Sequence, residues 1–180
     1  MFAISYLWMV VLITVLWLIV RIICSIKNKK PDLKREAQLL LVYICIIVVV
    51  RFTFCPFGKV DGKIQPLLFD ITRILPFWIN LKPFIYLFDY PTMKEALLNL
   101  IGNTAMFIPL GIVWPSVFKE LNTPLKAITA GVGFTLIIEI VQLLFYDRAT
   151  DIDDVILNSL GYLIGYGIYL TVKKLKKVKR

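Results

Sequence analysis

Apolar residues run along this chain in five long blocks, separated by short polar or proline-broken stretches. The blocks fall at about 2–23, 37–57, 96–118, 125–145 and 152–172. An α-helix of about 20 residues covers the roughly 30 Å of a bilayer's hydrocarbon core, so each block predicts a transmembrane span. A further apolar stretch, 58–94, is interrupted by Pro66, Pro76, Pro83 and Pro91 and is too broken to cross. Its Trp78 and its many Phe and Tyr residues suit the headgroup boundary. It therefore predicts interfacial or re-entrant helices between spans two and three. The first block has no basic residue ahead of it and no small-residue cleavage site, and reads as an uncleaved anchor. The expected architecture is an all-α integral membrane protein of about five helices. It divides into an anchor and basic loop over 1–36, a membrane domain over 37–172 and a basic tail over 173–180.

Composition supports that pattern. Of 180 residues 59% are hydrophobic, and the mean hydropathy is +0.79, beyond the range of ordinary soluble domains. The net charge of +9 is concentrated in three places. Lys27, Lys29, Lys30, Lys34 and Arg35 follow the first block, Lys119 and Lys126 join the third to the fourth, and Lys173, Lys174, Lys176, Lys177, Lys179 and Arg180 close the chain. With five spans all three groups fall on one side, which the positive-inside rule assigns to the cytoplasm, leaving the N-terminus outside. The same residues attract anionic headgroups. They present no folded groove reader, so nucleic acid is not an expected partner. Cys24, Cys45 and Cys55 have no metal or redox spacing, and histidine is absent. No metal site and no cofactor is expected, and any acid–base chemistry falls to carboxylates, Lys or Tyr.

Against this background the polar residues inside the blocks stand out. A charged group at the centre of a hydrocarbon slab costs about 2.5–3.5 kcal/mol on insertion scales. The fourth block nonetheless holds Glu139 and Gln142, and the fifth holds Asn158. Arg148, Asp151, Asp153 and Asp154 lie between and at its start, Asn99 and Asn103 in the third block, and Arg51 in the second. Orientation places all of them toward the outer side. Helical spacing puts Thr135, Glu139, Gln142 and Tyr146 on one face, Asn99 and Asn103 on another, and Asp154, Asn158, Gly161 and Gly165 on a third. The three faces are able to form one outward-open polar cage. Glu139 requires a partner, with Arg51 or Arg148 as candidates, or a neutral state. Plainer roles compete at some positions. Residues 150–153 read as a capping box for the fifth span, Gly161 and Gly165 as a packing motif, and Pro109 and Pro115 as marks of a kink.

At these residues the chain resembles the VanZ-like family of small bacterial membrane proteins. The likeness lies in NLKPF (80–84), NLIGNTAMFIPLG (99–111), TLIIEIVQLL (135–144) and RATDIDDVILNSLGYLIGY (148–166), with RFTFCPF (51–57) a weaker match. Lys82 stands where the family's turn carries an apolar residue. The resemblance implies a bacterial plasma-membrane protein that contributes to resistance against lipoglycopeptides such as teicoplanin. The positions it carries over are Asn99, Asn103, Glu139, Gln142, Arg148, Asp151, Asp153, Asp154 and Asn158.

Three functions fit. In the first, these residues with Arg51 form an outer site for a lipid-linked cell-wall precursor, a lipid headgroup or the antibiotic, with arginine holding an anionic group. In the second, Glu139 is the acid/base of an intramembrane enzyme acting on a lipid or wall precursor. Asp151, Asp153 and Asp154 would then offer oxygen ligands to a divalent cation. In the third, the chain is a small transporter or flippase, which with five spans calls for a homo-oligomer. Membrane lipid is the partner common to all.

Overall fold

The computed structural model describes residues 2–27, 32–54, 59–60, 63–70, 72, 79–84, 91–146 and 148–178. Five helices dominate: α1 (Tyr6–Lys27), α2 (Leu33–Phe54), α3 (Met93–Val117), α4 (Pro124–Gln142) and α5 (Ile152–Val178). All five are long and apolar enough to cross a membrane, as the hydrophobic blocks predict. The chain is a multi-pass helical protein. Helices α2, α4 and the N-terminal strand meet the starts of α3 and α5 at one end, here called the polar end. Lys34, Arg35, Lys119, Lys126 and the lysines from 173 to 177 of α5 lie at the other, the basic end.

The helix starts are written in the sequence. Thr92 caps α3, its side chain accepting from the Glu95 N–H at 3.2 Å. Thr123 caps α4 in the same way through the Lys126 N–H, and Pro124 takes the first helical position, where a missing N–H is harmless. At the basic end Arg35 of α2 donates to the Val117 carbonyl at the end of α3 and lies 5.7 Å over the Phe118 ring. A cation is thereby set against the negative end of a helix dipole.

Helices α3 and α5 form the most extensively packed pair. Glycine makes their approach possible. A Cβ on Gly161 would strike the Thr104 carbonyl, one on Gly165 the Ile108 carbonyl, and one on Gly111 the Tyr162 carbonyl. Small residues of this kind let backbones close where lipid supplies no hydrophobic drive. Pro109 and Pro115 are absorbed within α3, which runs unbroken from Met93 to Val117. Gly131 of α4 faces the Tyr162 ring, so all three helices close on that side chain, 1% exposed. Val49 of α2 and Phe107 and Leu110 of α3 complete the centre, each fully buried.

Helix α1 is peripheral: none of its residues from 6 to 26 is buried. It is held to α2 by a 2.6 Å hydrogen bond between the Thr14 and Tyr43 hydroxyls, by Trp17 on the Tyr43 ring, and by Arg21 paired with Glu36.

Short strands close the polar end. Strand β1 (Phe2–Ile4) pairs antiparallel with β4 (Leu67–Phe69), whose other edge meets the chain leaving α4. There the Tyr146 N–H donates to the Leu68 carbonyl and the Asp70 N–H to that of Leu144. Strands β2 (Lys59–Val60) and β3 (Lys63–Ile64) form a small hairpin. Strand β5 (Ile79–Asn80) pairs parallel with β6 (Thr150–Asp151), immediately before α5. The described residues between α2 and α3 are extended and turn segments, and most of the stretch expected to form interfacial or re-entrant helices lies outside the described residues. Trp78 and Pro76 lie outside the described residues.

Candidate functional site

The polar residues expected to converge do so, in layers between α3, α4 and α5. The deepest layer joins α4 to α5. Asn158 donates through Nδ2 to the Thr135 hydroxyl at 2.9 Å, with both residues essentially sealed from the surface. One turn toward the polar end, α4 presents Glu139 and α5 presents Asp154. The Asp154 Oδ1 accepts from the Asn103 side chain of α3 at 2.5 Å, and the Asn103 Nδ2 also reaches the Asn99 Oδ1 at 3.4 Å. Gln142 turns to the remaining helix, donating to the Thr53 carbonyl of α2 at 3.1 Å.

Glu139 is 2% exposed, yet it has no arginine partner of the kind expected from the sequence. Its Oε2 accepts from the Asp151 backbone N–H at 3.0 Å, and its own carbonyl accepts from the Thr150 hydroxyl at 2.8 Å. Among the described residues no ion pair joins it to Arg51 or Arg148. Arg51 instead lies 5.5 Å over the Tyr6 ring at the start of α1. Arg148 is near enough to Asp154 for its charge to act on that carboxylate.

The third layer is the loop above. Asp151 accepts from the Asn80 side chain at 3.1 Å and from the Asp153 N–H at 2.9 Å. The second bond makes Asp151 the cap of α5. The Thr150 hydroxyl, expected in that role, turns instead to α4, because the β5–β6 pairing holds it beside the Glu139 carbonyl. Asp153, 4% exposed, receives the Phe84 N–H on both carboxylate oxygens, at 2.9 and 3.2 Å. Phe84 has φ of +63°, rare for a bulky residue and held here by that two-oxygen bond. The Asn80 side-chain Oδ1 accepts from the Lys82 N–H, tightening the turn that delivers Phe84.

Asn99, Asn103, Glu139, Gln142, Arg148, Asp151, Asp153, Asp154 and Asn158 therefore share one end of the bundle, while Arg51 belongs to the α1 side. Tyr146, expected on the Glu139 face, lies beyond the end of α4 and is 46% exposed. Thr150 joins the network through α4 rather than as the expected cap, and Asn80 and the Phe84 N–H join it without having been anticipated individually. Their one sequence signal was the NLKPF block itself, with an amide beside an aspartate-rich helix start. Among the described residues no three His, Cys, Asp or Glu side chains gather as a metal ion requires. The aspartates are directed to separate backbone and amide donors instead. The Gln142 Oε1 and Asn158 Oδ1 are buried acceptors with no hydrogen-bond partner among the described residues.

Five membrane-length helices and a buried carboxylate–amide network at one end define a small multi-pass membrane protein with a polar site. A model of the VanZ/LLP1 family matches residues 40–173, and the chain belongs to that family. It is 33% identical over 106 residues to Protein VanZ of Enterococcus faecium, a match covering 56% of this chain and 61% of that protein. No solved structure matches it.

Proposed function

We propose that the protein contributes to resistance against lipoglycopeptide antibiotics of the teicoplanin type, through a polar site facing the outer leaflet. The site takes the polar end of an amphiphile: a lipid-linked cell-wall precursor, a lipid headgroup or the antibiotic. Membership of the VanZ/LLP1 family supports the phenotype. The observation carrying the site is the meeting of Asn103, Glu139 and Asp154 from three helices beneath the Asn80–Asp151 and Phe84–Asp153 tethers. Buried polar groups in a membrane bundle are costly and are more often functional than ornamental. Orientation follows from the lysines of the basic end, which the positive-inside rule assigns to the cytoplasm.

In this reading Arg148 supplies the cation that meets an anionic group on the ligand. Glu139 holds the 150–151 turn in place, and Asp154 with Asn103 forms the inner wall. The test compares teicoplanin and vancomycin susceptibility in a host expressing wild type or Arg148→Ala at matched protein level. Loss of teicoplanin protection by Arg148→Ala is the expected result. Full protection by that variant would sink the assignment.

A further inference from the structure

Beside the polar site, on the α2 side of α3, runs a half-open groove of about 840 Å³, lined by Lys94, Leu97, Leu98, Asn99, Gly102 and Asn103 together with Phe52 and Ile101. Its volume lies within the range of small-molecule sites. Lys94, Leu97, Leu98 and Ile101 follow the spacing of one helix face, and Gly102 opens the floor, since a Cβ there would meet nothing within 4 Å. Leu98 and Ile101 are 62% and 60% exposed, so the walls offer hydrocarbon to whatever enters.

The polar residues in this groove are graded by depth. Lys94 stands in the first turn of α3, at the mouth. Asn99 lies five residues further in, about 7.5 Å along the axis. Asn103 lies deeper and donates to Asp154, making it a wall common to groove and polar site. The Asn99 side-chain Oδ1 accepts from Asn103, while its Nδ2 has no partner among the described residues. From the mouth inward the described lining thus presents a cation at Lys94 and a hydrogen-bond donor at Asn99, with Leu97, Leu98, Ile101 and Phe52 as apolar walls beside them.

We propose that this groove seats one acyl chain of an anionic diacyl phospholipid, with the phosphate at Lys94 and an ester carbonyl at the Asn99 amide. The order of groups decides the class. A glycerophospholipid carries its ester carbonyls a short way below the phosphate, at the depth of Asn99. A polyprenyl phosphate has only hydrocarbon there and would leave the donor buried and unmatched, which is unfavourable. Lys94 is the charged residue among the described lining, and its positive charge favours an anionic over a zwitterionic headgroup. This inference rests on the polar-site reading in taking Asn103 as the shared wall, and it names the lipid that stands beside that site.

Native mass spectrometry of the full chain, released from mild detergent, tests it with three probes: phosphatidylglycerol, phosphatidylethanolamine and undecaprenyl phosphate. Wild type is expected to retain one phosphatidylglycerol, favoured about fivefold over phosphatidylethanolamine, the size of one interfacial lysine's contribution. Gly102→Leu fills the floor without a backbone clash, and it should lose the lipid at unchanged thermal midpoint. Lys94→Gln should keep a lipid but lose the preference. Retention of phosphatidylglycerol by Gly102→Leu overturns the proposal, as does equal or better retention of undecaprenyl phosphate. Susceptibility of the Arg148→Ala strain reads the polar site separately, so failure of either idea is distinguishable from failure of the other.

Discussion

Helices α3 and α5 and helices α1 and α2 are both neighbouring pairs of apolar helices, yet they are built on opposite plans. The first pair meets backbone to backbone across Gly111, Gly161 and Gly165. The second touches through side-chain tips, Thr14 with Tyr43 and Arg21 with Glu36. Close backbone approach leaves no slack, so Asn103 on α3 and Asp154 on α5 are fixed within hydrogen-bond distance. A pair joined by long side chains cannot hold a site to that tolerance. The polar network accordingly sits at the end of the tight pair, while the start of α1 is met by Arg51 of α2, which lies over the Tyr6 ring.

The sharpest way to break this contrast is Gly161→Leu. Its Cβ would meet the Thr104 carbonyl, a backbone atom that cannot swing aside, so a loss of about 3 kcal/mol or more is expected. Folded yield by fluorescence size-exclusion should collapse, whereas Gly133→Ala, with open space at its Cβ, should not change it. Asp153→Ala comes next, removing both acceptors of the Phe84 N–H from a backbone already in an unfavourable conformation. The 79–84 turn should then open more often. Backbone hydrogen exchange across residues 79–84 should quicken about tenfold; an unchanged rate would mean that β5–β6 pairing alone holds the turn.

Smaller again is the Thr135–Asn158 bond. A double-mutant cycle with Thr135→Val and Asn158→Leu should give about 0.6 kcal/mol of coupling, as for other hydrogen bonds between membrane helices. A value near zero would identify the buried amide's role as something other than register. The smallest effect is expected from Arg21→Ala, whose partially exposed pair with Glu36 contributes no more than about 1 kcal/mol. If that change lowers the thermal midpoint as much as Asp153→Ala does, α1 is not peripheral and the comparison fails.

The five helices were legible because hydrophobic length is a local property, readable without knowing any neighbour. Their bounds moved by a few residues where Thr92 and Thr123 capped them. Which helices share polar residues was legible too, since Glu139 with Gln142, Asn99 with Asn103, and Asn158 interrupt otherwise apolar runs. Partner choice was not. Arg51 and Arg148 both have the charge to meet Glu139, but its Oε2 takes a backbone N–H from twelve residues onward. Opposite charge names a possible pair, and the turn at 150–151 decides the real one. Thr150 and Asp151 are each good helix caps; strand pairing with residues 79–80, far away in sequence, settled the choice. The tethers of the NLKPF turn were hidden for the same reason, being contacts across about seventy residues.

Strand β4 has one neighbour at residues 2–4 and the other at 145, so the middle of the chain is flanked by two segments distant from it in opposite directions. Pairings over such separations form late, after the intervening loops have closed. The strip is therefore expected to be the last part of the molecule to set. An affinity tag fused ahead of Phe2 would hang at the rim of the polar site and interfere with that final step, whereas one placed after the α5 lysines would sit a full helix length away. For purification and for any assay of binding, the chain is best held by its basic end.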